Sequence, residues 1–276
     1  MNDEIRVSKL IASRGVVSRR SAESLIAEGK VTVDGEVVTE QGTTVDPKRA
    51  DVRVEGKKLP PAPLLVYYLL YKPKGYITGR DDPKGRKNVN QFVERLPFRV
   101  EPVGRLDYDT EGALLLTNDG NLANLLTHPS SAVPKRYLAK VFRTPDDRDM
   151  KLIEKGKVFL DDGASPKAKV RIVDATDAKN AWVEITVTEG RNRLIRRIFA
   201  QLGHPVSKLR RESFATLSIR GMERGDLRQL TEPEVKRIRD IGHGIHPGLA
   251  GHPKSRKGFA KAKPKKSRMK KRRKLR

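Results

Sequence analysis

Residues 104–120 read GRLDYDTEGALLLTNDG and predict three consecutive elements. The first nine residues have glycines at both ends, three carboxylates and one arginine, which predicts a tight loop whose backbone approaches another group closely. The run from Ala113 to Leu116 predicts a short buried strand, and Asp119-Gly120 then opens a helix. Spacing alone leaves the loop open as an acidic surface turn, a metal site, or a site for a catalytic base or nucleophile.

Strand and helix signals alternate irregularly on both sides of this stretch. Apolar runs predict strands at residues 66–71, 137–142, 170–173 and 182–187. Helical stripes lie at residues 89–96 after Asn88 and at residues 194–202, and a capping box at Thr231 opens the last helix. Without regular βαβ alternation, the pattern favours an α+β fold with a mixed, largely antiparallel sheet.

The first sixty residues predict a separate small unit. Apolar spacing predicts two short helices, the second capped by Ser18, followed by a hairpin at residues 31–38 with an Asp-Gly turn. The proline-rich stretch 60–63 then predicts a linker. The expected domains are therefore residues 1–60 and 61–242, followed by a tail at 243–276.

Charge is distributed unevenly over these parts. The whole chain carries +25, of which residues 1–60 contribute +1, residues 61–242 contribute +10 and residues 243–276 contribute +14. The tail has few large apolar residues, so it is expected to be a disordered basic tail. The excess of positive charge over the whole chain predicts a polyanionic partner, with nucleic acid as the first candidate and an anionic membrane as the second. The membrane is disfavoured because the tail lacks an apolar face.

Composition excludes several classes of protein. The absence of cysteine excludes a disulfide-stapled module, a thiolate metal site and a cysteine nucleophile. No run approaches the ~18 apolar residues of a membrane span, which predicts a cytoplasmic protein. No His or carboxylate cluster has metal-ligand spacing, so no metal is expected.

Two further clusters have ordinary readings when each is taken by itself. Residues 189–197, EGRNRLIRR, follow a predicted strand and fit a basic solvated helix face. In Lys135-Arg136-Tyr137, a tyrosine at a strand start is more often a core residue than a catalytic one.

The N-terminal unit resembles the S4 RNA-binding module of ribosomal and RNA-modifying proteins. The resemblance rests on RVSKL at 6–10, Gly15, SRR at 18–20 and GKVTVDG at 29–35. It implies that exposed basic residues of this unit bind RNA, and the candidates are Arg6, Lys9, Arg19, Arg20 and Lys30. From spacing alone, a solvated helix N-terminus is an equally good reading of Arg19 and Arg20.

Residues 5–240 as a whole resemble the pseudouridine synthases of small-subunit and large-subunit ribosomal RNA that begin with an S4 module. The matching stretches occur in order and include KPKG at 72–75, the 104–120 stretch, His128-Pro129, residues 135–137 and residues 189–197. The chain departs from the family at Leu194-Ile195, where a glutamine usually supports the helix.

The resemblance also implies roles for individual residues. Asp107 would be the catalytic aspartate, Tyr137 would stack on the target base and Arg196 would pair with Asp107. Leu209, Arg105 and Lys72 would bind substrate, and Arg191, Arg193 and Arg197 would bind RNA.

Breaking and remaking one glycosidic bond needs neither redox change nor nucleotide, so no cofactor is expected. The implied partner is ribosomal RNA, preferably large-subunit (23S) RNA, alone or in a pre-ribosomal particle, with the protein acting as a monomer. Two alternatives stay open: small-subunit RNA as the substrate, and a non-catalytic RNA-binding assembly factor on the same fold.

Overall fold

A computed structural model describes residues 4–79, 85–177 and 179–245. The predictions made for the tail therefore fall mostly on residues 246–276, outside the described residues. No helix in the described ranges is long and apolar enough to cross a membrane.

The N-terminal unit contains the two predicted helices and short strands. Their bounds are α1 (Val7–Ser13), α2 (Arg19–Ala27), β1 (Ile5–Arg6), β2 (Val31–Val33), β3 (Glu36–Val37), β4 (Thr44–Val45), β5 (Val52–Val54) and β6 (Lys57–Lys58).

Local sequence explains this unit well. The Ser18 hydroxyl accepts a hydrogen bond from the Ser21 amide at 3.0 Å, which caps α2 as predicted. Asp34 and Gly35 both have positive φ, +51° and +91°, as a two-residue turn between β2 and β3 requires. The apolar faces of both helices pack on β2 and β5 in a core of their own.

The longer part of the chain contains the remaining elements. Their bounds are β7 (Tyr67–Lys72), β8 (Glu101–Pro102), β9 (Thr110–Thr117), α3 (Gly120–Thr127), β10 (Lys135–Phe142), α4 (Asp147–Lys155), β11 (Phe159–Leu160), β12 (Gly163–Ala164), β13 (Lys169–Asp177), β14 (Asn180–Val187), α5 (Leu194–Gln201), β15 (Val206–Phe214), β16 (Leu217–Ser218), β17 (Leu227–Gln229) and α6 (Glu232–Gly242).

A nine-stranded sheet runs through this part in the order β13-β14-β10-β15-β9-β7-β17, with β8 beside β9 and β16 beside β15. Every pairing in it is antiparallel except that of β15 with β9. The predicted α+β fold with a largely antiparallel sheet is confirmed. The single parallel pair matters because it brings two segments a hundred residues apart to the same point.

The helix predicted at residues 89–96 is wrong. The segment forms one 3-10 turn, Val89–Phe92, followed by further turns closed by the Leu96 amide on the Val93 carbonyl at 3.0 Å. Its apolar side chains still pack into the core: Val89 is buried against β7 and β9. Pro97 disfavours the helical conformation of the residue before it, so the turns do not extend into an α-helix.

The central strand β15 was not predicted. Its inward positions include Arg211, only 2% exposed, beside Leu209 and Phe214. A buried arginine interrupts the apolar alternation by which a strand is recognised in sequence. Helix α4 was also missed, although Asp146 caps it through the Asp149 amide at 2.8 Å.

Candidate active site

A cavity of about 580 Å³ opens where β9, β10, β14, β15 and the start of α5 meet. Its wall includes four of the six predicted catalytic and substrate-binding residues. These four are Asp107, Arg105, Tyr137 and Leu209. The other two, Arg196 and Lys72, do not line it.

Strand register explains how these distant residues come together. The parallel pair aligns Leu209 with Thr110, three residues after Asp107. On the other side of β15, Tyr137 of β10 aligns with Arg211. The Asp107 loop and Tyr137 therefore approach the cavity from the two strands that flank β15.

The Asp107 loop is held mainly through its backbone. The Thr110 amide donates to the Asp107 carbonyl at 3.0 Å, and the Gly75 amide donates to the Tyr108 carbonyl at 2.8 Å. Gly104 begins the loop with a φ of +74°, a conformation that favours glycine. These contacts fix the backbone and leave the Asp107 side chain, about one-third exposed, at the cavity wall.

Lys72 anchors this loop from inside, which corrects its predicted role. It is 0% exposed, so it has no surface for substrate. Its Nζ donates to the carbonyls of Pro73 (3.1 Å), Asp107 (3.1 Å) and Thr110 (2.8 Å). Burial lowers the pKa of Lys72 to about 8, and the nearby Asp107 charge partly opposes that shift. Lys72 is a positioning residue for the Asp107 backbone.

The expected ion pair between Arg196 and Asp107 is also corrected. The Arg196 Nη2 lies 3.0 Å from Oδ2 of Asp109, and the same guanidinium donates to the carbonyls of Asp109 (3.1 Å) and Val206 (3.0 Å). These three acceptors hold it beside Asp109. Burial lowers the pKa of Arg196, and the charge of Asp109 works against that shift.

Arg193 is the arginine nearest to Asp107 among the described ion pairs. Its Nη1 lies 3.9 Å from Oδ2 of Asp107 and 3.3 Å from Oδ1 of Asp109. Arg193 itself has a φ of +45°, one residue before α5 begins. The loop thus presents two carboxylates to two arginines. Asp109 is paired with both, whereas the only ion pair of Asp107 among the described residues is the longer 3.9 Å contact with Arg193.

Arg191 and Arg197 hold the hairpin of β11 and β12. Arg191 pairs with Asp162 at 3.1 Å and donates to the Ala164 carbonyl at 2.7 Å. Arg197 pairs with Asp162 at 2.8 Å and also with Asp161. Both guanidinium groups are therefore engaged within the protein, and RNA binding by them stays a prediction.

The basic residues of the N-terminal unit lie at its surface. Arg6, Lys9 and Arg20 are exposed and form no ion pair with any described residue. Arg19 is paired with Glu23 at 3.5 Å, and Lys30 with Glu28 at 2.7 Å. Their role in RNA binding also stays a prediction. The strongest candidates are Arg6, Lys9 and Arg20, because none of them is paired with an acid among the described residues.

Sequence reasoning gave no role to three further residues of the cavity wall, His128, Lys135 and Arg211. His128 and Lys135 stand in stretches that match the family, but such a match does not show which side chains turn inward. Arg211 lies in β15, a strand that the sequence did not predict.

Comparison with known proteins agrees with this geometry. A family model described as RNA pseudouridylate synthase matches residues 66–201, and the S4 domain model matches residues 5–50. A Bacillus subtilis protein named ribosomal large subunit pseudouridine synthase B is 46% identical over 241 residues, covering 87% of this chain and 98% of its own length. An Aquifex aeolicus protein named as an uncharacterized RNA pseudouridine synthase is 41% identical, covering 85% of this chain and 94% of its own.

A solved structure described as a pseudouridylate synthase covers 85% of this chain and 99% of its own length. It has a TM-score of 0.60 and 27% sequence identity. Three findings lead to one assignment. They are the similarity to the Bacillus protein over 87% of the chain, the family match at residues 66–201 and the S4 match at residues 5–50. The chain belongs to the RNA pseudouridylate synthase family, in the group that carries an S4 domain.

Proposed function

We propose that this protein converts a uridine of large-subunit ribosomal RNA to pseudouridine, with Asp107 as its catalytic residue and without a cofactor. The observation that carries the proposal is a carboxylate, Asp107, on the wall of a nucleotide-sized cavity that it shares with Tyr137 and Leu209. The choice of large-subunit RNA is supported by the name of the Bacillus relative.

The reaction breaks the bond between uracil N1 and ribose C1′, turns the base and joins C5 to C1′. The proton on C5 is lost and N1 gains one, so atoms balance without any co-reactant. An ionised Asp107 would attack the nucleotide or remove a proton, and the Arg193 guanidinium lies 3.9 Å from its carboxylate. Tyr137 would replace the stacking that the uridine loses when it leaves its helix, and Leu209 would contact the uracil ring.

The remaining assignments complete the proposal. The S4 domain would bind RNA away from the cavity through Arg6, Lys9 and Arg20, while Arg105 would bind backbone at the cavity mouth. The protein would act as a monomer in the cytoplasm, on free ribosomal RNA or on a pre-ribosomal particle.

Release of tritium tests the activity directly. Large-subunit ribosomal RNA labelled with tritium at uridine C5 should lose its label when incubated with the protein, because the C5 proton is displaced during isomerisation. Small-subunit RNA prepared in the same way should keep its label. No release from either RNA would reject the catalytic proposal in favour of a non-catalytic assembly factor. Release from small-subunit RNA alone would reject the substrate.

Tyr137 provides a second prediction. Tyr137→Ala should lower kcat/KM by roughly ten-fold to a hundred-fold, since base stacking on an aromatic side chain contributes about 1–3 kcal/mol. Tyr137→Phe keeps the ring and should retain most of the binding. The rate of tritium release, measured as a function of RNA concentration, gives kcat/KM for each variant. Equal losses in the two variants would show that the hydroxyl, not the stacking surface, is what matters.

A further inference from the structure

Two cations that are at least partly buried, Lys135 and Arg211, line the cavity without a carboxylate partner among the described residues. The Lys135 Nζ donates to the carbonyls of Val133 (3.0 Å) and Thr188 (2.9 Å). An ammonium has three N–H bonds, so one remains. Arg211 is 2% exposed and donates from Nε to the Ala113 carbonyl at 2.7 Å, while its buried Nη2 has no partner in the described part of the chain.

Cations that are removed from water without a counter-ion are costly to the folded state. Burial lowers the pKa of Lys135 to about 8, and the charge of Arg211 lowers it further. The nearby Glu189 opposes this, but its carboxylate is paired with Arg191 at 3.1 Å. An anion in the cavity would therefore offset a cost that the free protein bears.

Lys135 lies away from the level of Leu209 along β10. Along β10, Ala139 aligns with Leu209, Tyr137 with Arg211, and Lys135 with Phe214. At ~3.3 Å per residue, Lys135 starts about 13 Å along the strand from the level of Leu209. A uracil ring held between Leu209 and Tyr137 leaves Lys135 beside the sugar-phosphate backbone.

His128 adds a third donor at the same wall. Its Nδ1 accepts from the Ser130 amide at 3.3 Å and lies 2.7 Å from the Ser130 hydroxyl. In the tautomer that has Nδ1 as the acceptor, the proton of the neutral ring is on Nε2. No described residue accepts from that Nε2, and His128 is exposed at the cavity.

We propose that Lys135 and His128 bind one backbone phosphate next to the target uridine, with the charge of Arg211 behind them. The proposal rests on the proposed function, because its ligand is the substrate RNA. The subsite would fix the strand so that the flipped base enters the cavity in one direction. Lys135 and His128 are then positioning residues for substrate and have no part in breaking bonds.

Phosphate-ethylation interference tests this on the full chain. A large-subunit ribosomal RNA transcript is ethylated sparsely at its phosphates and incubated with the protein, and the modified molecules are then separated and mapped. With the parent protein, ethylation of one phosphate within about two nucleotides of the modified uridine should block the reaction. With Lys135→Met, the same ethylation should have no further effect, while kcat/KM on unmodified RNA falls about ten-fold, as expected for a lost charge-assisted hydrogen bond.

Lys140→Met is the matched control, because Lys140 lies on the same strand and does not line the cavity. It should keep the parental interference pattern, and Lys135→Arg should keep it as well. His128→Ala, a change at an exposed residue, should weaken interference at the same phosphate and keeps the test open if Lys135→Met folds poorly. The parental pattern in both Lys135→Met and His128→Ala would overturn the proposal, while tritium release by the parent protein would still support the proposed function.

Discussion

An Asp107→Asn variant should bind large-subunit ribosomal RNA as tightly as the parent protein and form pseudouridine slower by about three orders of magnitude or more. Removal of a group that reacts covalently or moves a proton typically costs at least this much. The fold should be unaffected, because the side chain is about one-third exposed and the loop is held through the Asp107 carbonyl, which the substitution keeps. The measurements are tritium release, RNA affinity and thermal unfolding.

Asp34→Asn is the control for the same chemical change. Asp34 occupies a hairpin turn of the N-terminal unit, where asparagine tolerates the positive φ equally well. This variant should keep parental activity. Parental activity in Asp107→Asn as well would remove Asp107 from the chemistry, and Asp109, the other carboxylate of the loop, would become the candidate.

The sequence predicts those parts of the site whose signals are local. The glycines and carboxylates of the Asp107 loop predict it as a site. Tyr137 is predicted from its place at a strand start within a motif of the family. The partner of Arg196 could not be predicted in this way. Asp107 and Asp109 are two residues apart, and which of them the guanidinium reaches depends on how β15 and α5 sit against the loop.

The two buried cations next to the site could not be predicted for a related reason. Lysine and arginine usually lie at the surface, yet Lys72 is 0% exposed and Arg211 is 2% exposed. Each side chain donates hydrogen bonds to backbone carbonyls inside the protein. Those carbonyls come within reach only when β9 pairs with β7 and β15. A buried cation bound to backbone leaves no complementary acid in the sequence by which it could be recognised.

Among the described glycines, Gly112 has the least room for a side chain. It lies in β9 with a φ of +123°, and it aligns with Arg211 across the one parallel strand pair of the nine-stranded sheet. A Cβ at this position would overlap the Arg211 carbonyl oxygen and lie 2.6 Å from the Arg211 nitrogen. Backbone atoms of a central strand cannot move aside without breaking the pairing that sets Leu209 beside the Asp107 loop.

Gly112→Ala should therefore destabilise the protein by about 4 kcal/mol, from backbone strain and overpacking together. In thermal unfolding this corresponds to a fall in Tm of roughly 10 °C. Activity at low temperature should fall more than the folded fraction does, because the strand shift also displaces Asp107. Gly120→Ala is the matched control: it lies at the start of α3 with no atom within 4 Å of the new methyl group. It should be neutral or slightly stabilising. If Gly112→Ala had the stability and activity of Gly120→Ala, the contact between β9 and β15 would not be what positions the Asp107 loop.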